Sequence, residues 1–274
     1  MKRIVLYPNP KRDIGLKQTY AVKSLLDDSG EAECVIIKAE YSHSEIAETM
    51  KGADMVITFG GDGTILHAAR YAAKQDVPIL GINTGNKGFM AELENVDPGL
   101  IMKAVRGDCD IERRMMLDTE VIRGSETVYE DFALNDVVIG GRARILHMTV
   151  KGDGRLITEL AGDGVVIATP TGSTAYSMAA GGPIMEPSAE NIIITPICAH
   201  QMSAKSFVIV PEREVEIHLL DEDNRNEFIS ADGGEAFDLR CGDDVRIKRS
   251  GYETKLIRVT ETSFYEKVAK KLKK

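Results

Sequence analysis

Met55-Val56-Ile57-Thr58-Phe59-Gly60-Gly61-Asp62-Gly63-Thr64-Ile65-Leu66-His67-Ala68 decides how the first half of this chain is read. The run Met55–Phe59 has the length and apolarity of a buried strand, and Ile65–Ala73 has the period of a helix. Glycines at such a strand-to-helix turn permit positive φ and let backbone N–H groups approach a phosphate, while the helix N-terminus adds the positive end of its dipole. The turn is therefore predicted to bind an anion. An aspartate there is electrostatically odd unless it works on a metal ion or a hydroxyl proton, which makes Asp62 the leading catalytic candidate, with Gly63 beside it. The loop has neither the Walker lysine nor the GxGxxG spacing. A plain tight turn capped by Asp62 or Thr64 is the alternative the letters leave open.

Upstream of this turn, Ile4–Tyr7, Leu16–Leu26, Cys34–Ile37 and Ile46–Met50 alternate as strand and helix, and downstream Val77–Ile82 supplies another strand. That alternation predicts a doubly wound parallel sheet, an α/β domain over residues 1–98. Asn83-Thr84-Gly85-Asn86-Lys87-Gly88-Phe89 leaves the carboxyl end of Val77–Ile82, where open sheets bind ligands, and is read as a second wall beside the first turn.

Beyond Pro98 one helical stretch, Leu100–Val105, gives way to short β-type runs, among them Thr119–Ile122, Val137–Ile139, Met148–Val150, Val165–Ala168, Ile192–Thr195, Phe207–Val210, Val215–Leu219 and Lys255–Val259. They predict a mostly-β, sandwich-like domain over 99–259, with Gly152-Asp153-Gly154 as a hairpin turn. Ser263 followed by Glu266 is a capping-box signature, and the helix expected over 260–274 is read as packing back on the first domain.

Two further segments carry polar chemistry. In Phe132-Ala133-Leu134-Asn135-Asp136-Val137-Val138-Ile139, an amide and a carboxylate interrupt an apolar strand and need partners such as ribose hydroxyls, unless they form a turn or bulge. Gly162-Asp163-Gly164-Val165-Val166-Ile167-Ala168-Thr169-Pro170-Thr171-Gly172-Ser173-Thr174-Ala175-Tyr176-Ser177 runs from a buried strand into a loop of hydroxyls, glycines and one flat ring. That loop offers a base both hydrogen bonds and a stacking surface.

The bulk properties exclude several classes. With 274 residues, 43% of them hydrophobic and 28% charged, the chain has room for two domains with real cores. A net charge of -9, from 34 basic and 43 acidic residues, argues against nucleic acid and membrane surfaces as partners. The basic tail KVAKKLKK, Lys267 to Lys274, reads as a solvated helix end. Cys34, Cys109, Cys198 and Cys241 lie too far apart for a zinc or redox motif, and the histidines show no metal spacing; His67 alone, one turn into the helix after Asp62, is placed to face a phosphate. The opening MKRIVLYPNP reaches Pro8 too soon for a signal-peptide core, so the cytoplasm is the expected compartment.

Taken in order, GGDGT, NTGNKGF, ALNDVVI, GDGVVIATPTGSTAYS and AAGGPI resemble the NAD kinase family across most of the chain. The resemblance implies an N-terminal α/β domain and a C-terminal β-sandwich. It also implies ATP with Mg²⁺ or another divalent cation as donor, NAD as the substrate phosphorylated at the 2′-hydroxyl of its adenosine ribose, and a homo-oligomer of two or four subunits. Asp62 then takes the role of general base. NAD contacts are implied for Asp62, Gly63, His67, Asn135, Asp136, Asp163, Thr174, Ala175, Tyr176, Ser177, Met178 and Ala179, with Asp163 acting from a neighbouring subunit. The chain departs from the family pattern at Asp136, where Glu is commoner, at Ala179, where many members have Ser, and near Ala231-Asp232-Gly233-Gly234, which lacks a Gln that bacterial members often carry. A lipid or sugar kinase sharing the GGDGT turn, and a non-catalytic dinucleotide sensor, are the competing readings.

Overall fold

A computed structural model of the chain describes residues 1–85, 88–141, 145–200, 204–220, 227–240 and 242–273. Asn86, Lys87, Cys241 and Lys274, all named above, lie outside the described residues. The chain forms two compact units, Met1–Arg114 with Tyr252–Lys274, and Met115–Gly251. The first unit thus takes in the helix that follows Pro98 and the strand at 255–259, both of which the sequence pattern assigned to the β-rich half.

In the first unit the elements run β1 (Lys2–Pro8), α1 (Lys17–Ser29), β2 (Ala32–Ile36), α2 (His43–Met50), β3 (Met55–Gly60), α3 (Asp62–Ala72), β4 (Ile79–Asn83) and α4 (Pro98–Arg106). The strands are parallel in the order β2-β1-β3-β4. Ile4, Leu6, Ile57 and Phe59 pack with Val22 and Leu26 of α1 and with Ile101, Ala104 and Val105 of α4. Their neighbours Val5 and Val56 are as deeply buried on the opposite face, where α3 packs on β3 and β4. Strands that are apolar on both faces are what a sheet covered by helices on both sides requires. A Cβ on Gly81 would stand 2.7 Å from Ile65 Cδ1, so α3 lies as close to β4 as a glycine allows. The chain leaves β1 towards β2 on one side and returns to β3 on the other. This creates a switch point at the carboxyl ends of β1 and β3, the place where open sheets leave a ligand crevice.

The chain passes into the second unit within β5 (Asp110–Arg123) and continues through β6 (Glu126–Ala133), β7 (Asp136–Gly141), β8 (Leu146–Gly152), β9 (Arg155–Gly162), β10 (Gly164–Ala168), α5 (Tyr176–Ala179), β11 (Ile192–Ile197), β12 (Phe207–Ile209), β13 (Val215–Leu219), β14 (Glu227–Ala231), β15 (Phe237–Asp238) and β16 (Asp243–Arg258). One sheet is antiparallel in the order β12-β11-β10-β7-β14-β15. Facing it, β13 pairs with the first half of β16 and with β8, which pairs with β9. Alternate residues of both layers, among them Val137, Ile139, Val165 and Ile167 from one and Met148, Val150, Ile217 and Val245 from the other, share a single core. This is the arrangement of a sandwich. Asp153 and Gly154 link β8 to β9 with φ of 49° and 75°, the left-handed pair that a two-residue hairpin needs.

After β16, whose Leu256 pairs in parallel with Ile79, α6 (Phe264–Leu272) closes the first unit. Its Ser263 and Glu266 form the expected capping box. Among the described residues no helix is long and apolar enough to cross a membrane.

Candidate active site

The crevice at the switch point begins with a steric constraint. A Cβ on Gly60 would lie 2.0 Å from Thr64 Oγ1, so only glycine lets β3 turn so tightly into α3. The helix opens from Gly61 with no side-chain cap, which leaves both Asp62 and Thr64 for other uses. Thr64 Oγ1 accepts from Asn9 Nδ2 at 3.1 Å, tying the end of β1 to α3. Asp62 reaches across to the loop after β4 and accepts the N–H of Phe89 at 2.7 Å and of Met90 at 3.2 Å. Gly88 is the floor under this carboxylate, because a Cβ there would be 1.8 Å from Asp62 Oδ1. Each carboxylate oxygen still has acceptor capacity after one such bond. The GGDGT turn and Gly88 are thus two walls of one crevice of about 290 Å³, also lined by Asn9, Arg12 and Lys271.

Charge around the crevice is mostly positive. Arg12 is exposed and makes no ion pair among the described residues. Arg114, buried and bonded to Glu112 at 2.8 Å, lies close enough to Asp62 for their opposite charges to interact, although burial is what chiefly moves its pKa, downwards. Lys271 Nζ stands 3.9 Å from the centre of the Phe89 ring, an arrangement that favours a cation over the ring face. The tail is therefore not a purely solvated helix end. Lys267 Nζ donates to Ala91 O at 3.1 Å and lies 3.9 Å from Glu92 Oε2; burial first, then the charge of Arg258, lowers its pKa to about 8. Glu92 is held in turn by Val259 N, Thr260 N and Oγ1, and Arg258 Nη1, at 2.6 to 3.1 Å.

His67 does not line this crevice. Its Nδ1 is hydrogen-bonded to Tyr7 Oη, as His43 Nδ1 is to Tyr71 Oη, and the four rings gather beside a separate cavity of about 450 Å³. Loss of hydration, then the charges of His43 and Arg70, lowers the pKa of His67.

In the β-rich unit the decisive side chain is one the sequence passed over. Asp232, with φ of 52°, accepts the N–H groups of Leu134 at 2.8 Å, Asn135 at 2.7 Å and Asp136 at 3.2 Å. That clamp holds the Asn135-Asp136 turn at the start of β7. Asp136 is 5% exposed and its carboxylate meets no hydrogen-bond donor among the described residues. Burial first, and the Asp232 charge second, pushes its pKa up to about 7. The loop after β10 is pressed against the same turn. Thr169 N donates to Asn135 O at 2.9 Å and Thr169 Oγ1 to Leu134 O at 2.6 Å, while a Cβ on Gly172 would be 2.0 Å from Asn135 O.

Most hydroxyls of that loop turn inward. Ser173 Oγ bonds Met185, Thr174 Oγ1 donates to Thr171 O at 3.2 Å, and Ser177 Oγ pairs with Thr195 Oγ1 at 2.9 Å in full burial. Ser177 therefore holds the loop rather than offering a hydroxyl to a ligand. Ala175, Met178 and Ala179 contribute backbone bonds within the turn of α5, and Tyr176 presents a ring that is 45% exposed. Asp163 stands apart. Asp136 pairs with Ala168 and Gly140 with Gly164, so Asp163 lies at the other end of the ladder, on the order of 17 Å from Asp136 along the strands.

A doubly wound unit with a carboxylate fixed in a phosphate-favouring turn is that of an enzyme that handles phosphates. Residues 5–105 match the family profile described as the ATP-NAD kinase N-terminal domain, and residues 134–259 match the ATP-NAD kinase C-terminal domain. The NAD kinase of Carboxydothermus hydrogenoformans is 39% identical over 265 residues, which cover 95% of this chain and 90% of that protein. An NAD kinase from Archaeoglobus fulgidus, solved in complex with ATP, aligns with a TM-score of 0.80 at 25% identity over 100% of this chain and 99% of its own. Yeast NADH kinase, solved with NADH, shares the fold with a TM-score of 0.86 at 21% identity over 100% of this chain and 88% of its own. The chain belongs to the ATP-NAD kinase family and is a phosphotransferase of that kind.

Proposed function

We propose that this chain transfers the γ-phosphoryl group of ATP to the 2′-hydroxyl of the adenosine ribose of NAD, giving NADP and ADP. The observation that carries the reading is the Asp62 carboxylate, fixed by Phe89 N–H and Met90 N–H in a crevice whose other groups suit phosphate. The ribose oxygen attacks the γ-phosphorus, the bond from that phosphorus to the β,γ-bridging oxygen breaks, the hydroxyl proton passes to Asp62, and ADP leaves. Little covalent work falls to the protein in such a transfer, so positioning and charge stabilisation carry the rate.

Among the described residues no three His, Cys, Asp or Glu side chains gather as a metal site. Mg²⁺ ordinarily binds through one or two carboxylates plus substrate phosphates, so Asp62 beside the donor's phosphates fits a cation that arrives with ATP. When bound, it screens the phosphate charge. In the β-rich unit, Asn135, Asp136 and the Tyr176 ring suit the nucleoside of NAD, the buried Asp136 carboxylate gaining from ribose hydroxyls the donors it lacks. The reading includes a cytoplasmic homo-oligomer to which Asp163 contributes from a neighbouring subunit.

The test is NADP formation from NAD, ATP and Mg²⁺, read with an NADP-specific dehydrogenase. Asp62→Asn should lower turnover by about two to four powers of ten, the usual size of a general-base contribution. Wild-type protein that binds NAD but forms no NADP would move the assignment to a dinucleotide sensor.

A further inference from the structure

A second space adjoins the Asp62 crevice within the first unit. It measures about 730 Å³, is lined by Val96, Leu100 and Thr262 among others, and shares Gly88 and Lys271 with the crevice. The two spaces therefore lie side by side, with Gly88 and Lys271 lining both. The volume falls within the range of small-molecule sites.

Its lining carries three carboxylates, Glu92, Glu94 and Asp97, and three lysines, Lys267, Lys270 and Lys271. Glu92 is occupied by Arg258, Val259 and Thr260, and Asp97 accepts Leu100 N at 3.0 Å as the cap of α4. Lys267 is spent on Ala91 O and Glu92. Lys270 and Lys271 also line the space, and neither has an ion-pair partner among the described residues. An apolar wall with two ammonium groups that lack an ion-pair partner, beside a carboxylate at a helix N-terminus, matches a nucleoside polyphosphate: base on the apolar side, phosphates past the lysines.

We infer that this cavity holds the nucleoside of the phosphoryl donor, and that the donor's phosphate chain passes Lys271 into the Asp62 crevice. The inference rests on the donor being ATP, as proposed above. Lys271 is then a positioning residue for the donor, and α6 belongs to the donor site.

The experiment compares Lys271→Gln, Lys271→Arg and Thr262→Trp, the last filling the cavity from its exposed edge, with Lys273→Gln as the control. Steady-state assays give KM for ATP and for NAD, and calorimetry gives the affinity for a non-hydrolysable ATP analogue. Lys271→Gln and Thr262→Trp should each raise KM for ATP and weaken the analogue by about 10-fold, the loss of one charge-assisted contact. KM for NAD should stay within about twofold, Lys271→Arg should restore most of the loss, and thermal midpoints should match wild type. ATP parameters unchanged in both variants, or equal losses for ATP and NAD, would overturn the inference. Should wild-type protein form no NADP, the reaction assignment fails by itself, and the calorimetric comparison still decides the cavity.

Discussion

Asp62 and Asp136 are both carboxylates at the edge of a sheet, and they are held in opposite ways. Asp62 accepts two backbone N–H groups and rests on Gly88; Asp136 accepts none, lies buried, and has its pKa pushed up to about 7. The amides that would satisfy Asp136 in an ordinary turn are taken up elsewhere, since its own N–H and those of Leu134 and Asn135 are bound to Asp232. A carboxylate satisfied by the backbone is fixed in position. One left without donors in a low-dielectric pocket is a site that a ligand completes.

Each turn also leans on a distant glycine, and the two contacts differ in kind. At Gly88 the clash of an added Cβ would be with the Asp62 side chain, which can swing away; at Gly172 it would be with the Asn135 backbone, which cannot. Gly88→Ala should therefore leave the fold standing and lower turnover by roughly a hundredfold, the order of loss from misplacing a catalytic group by about 1 Å. Steady-state assays beside a thermal melt check this, and full turnover in that variant would remove the role given to the Gly88 floor. Gly172→Ala should instead destabilise the protein by about 1–3 kcal/mol, the common cost of overpacking, and weaken NAD binding with it. Urea unfolding and calorimetry with NAD measure the two effects.

The smallest effect expected is the most specific to the comparison. Against 3.8 for an unperturbed aspartate, a folded value near 7 means that the native state binds this proton more tightly than the unfolded chain. The charge-burial cost is absent below pH 3.8, grows as pH rises towards about 7, and is constant above. Asp136→Asn should thus stabilise the protein by about 1–2 kcal/mol at pH 8, part of the full linkage being offset by the buried amide, and by nothing measurable at pH 4. In the wild type, NAD affinity should fall as pH drops below 7 and Asp136 loses its charge. A stability gain independent of pH would contradict the shifted carboxyl.

The sequence showed the first of these sites far better than the second. GGDGT sits between an apolar run and a helical period, so its place at a sheet edge followed from local pattern. The Asp232 clamp escaped because its partners at 134–136 are distant along the chain. Arg12 and Lys271 were missed for a related reason. Helical period in KVAKKLKK identifies a helix but not what it packs on, and tertiary contact placed Lys267 on Ala91 and Lys271 over Phe89. The strand at 255–259 was assigned to the β-rich half by adjacency, whereas it pairs in parallel with β4. The hairpin turn read at Gly152-Asp153-Gly154 implied the strand after it, and β9 pairs with β8 across that turn.

The most direct measurement sets Asp62→Asn beside Asp136→Asn, with NAD binding by calorimetry and NADP formation at saturating substrates. Asp62→Asn should keep NAD affinity within about threefold and lose two to four powers of ten in turnover, whereas Asp136→Asn should lose about tenfold or more in NAD affinity and keep turnover within about tenfold once saturated. Wild-type turnover in Asp62→Asn, or unchanged NAD affinity in Asp136→Asn, would contradict the division of labour between the two carboxylates.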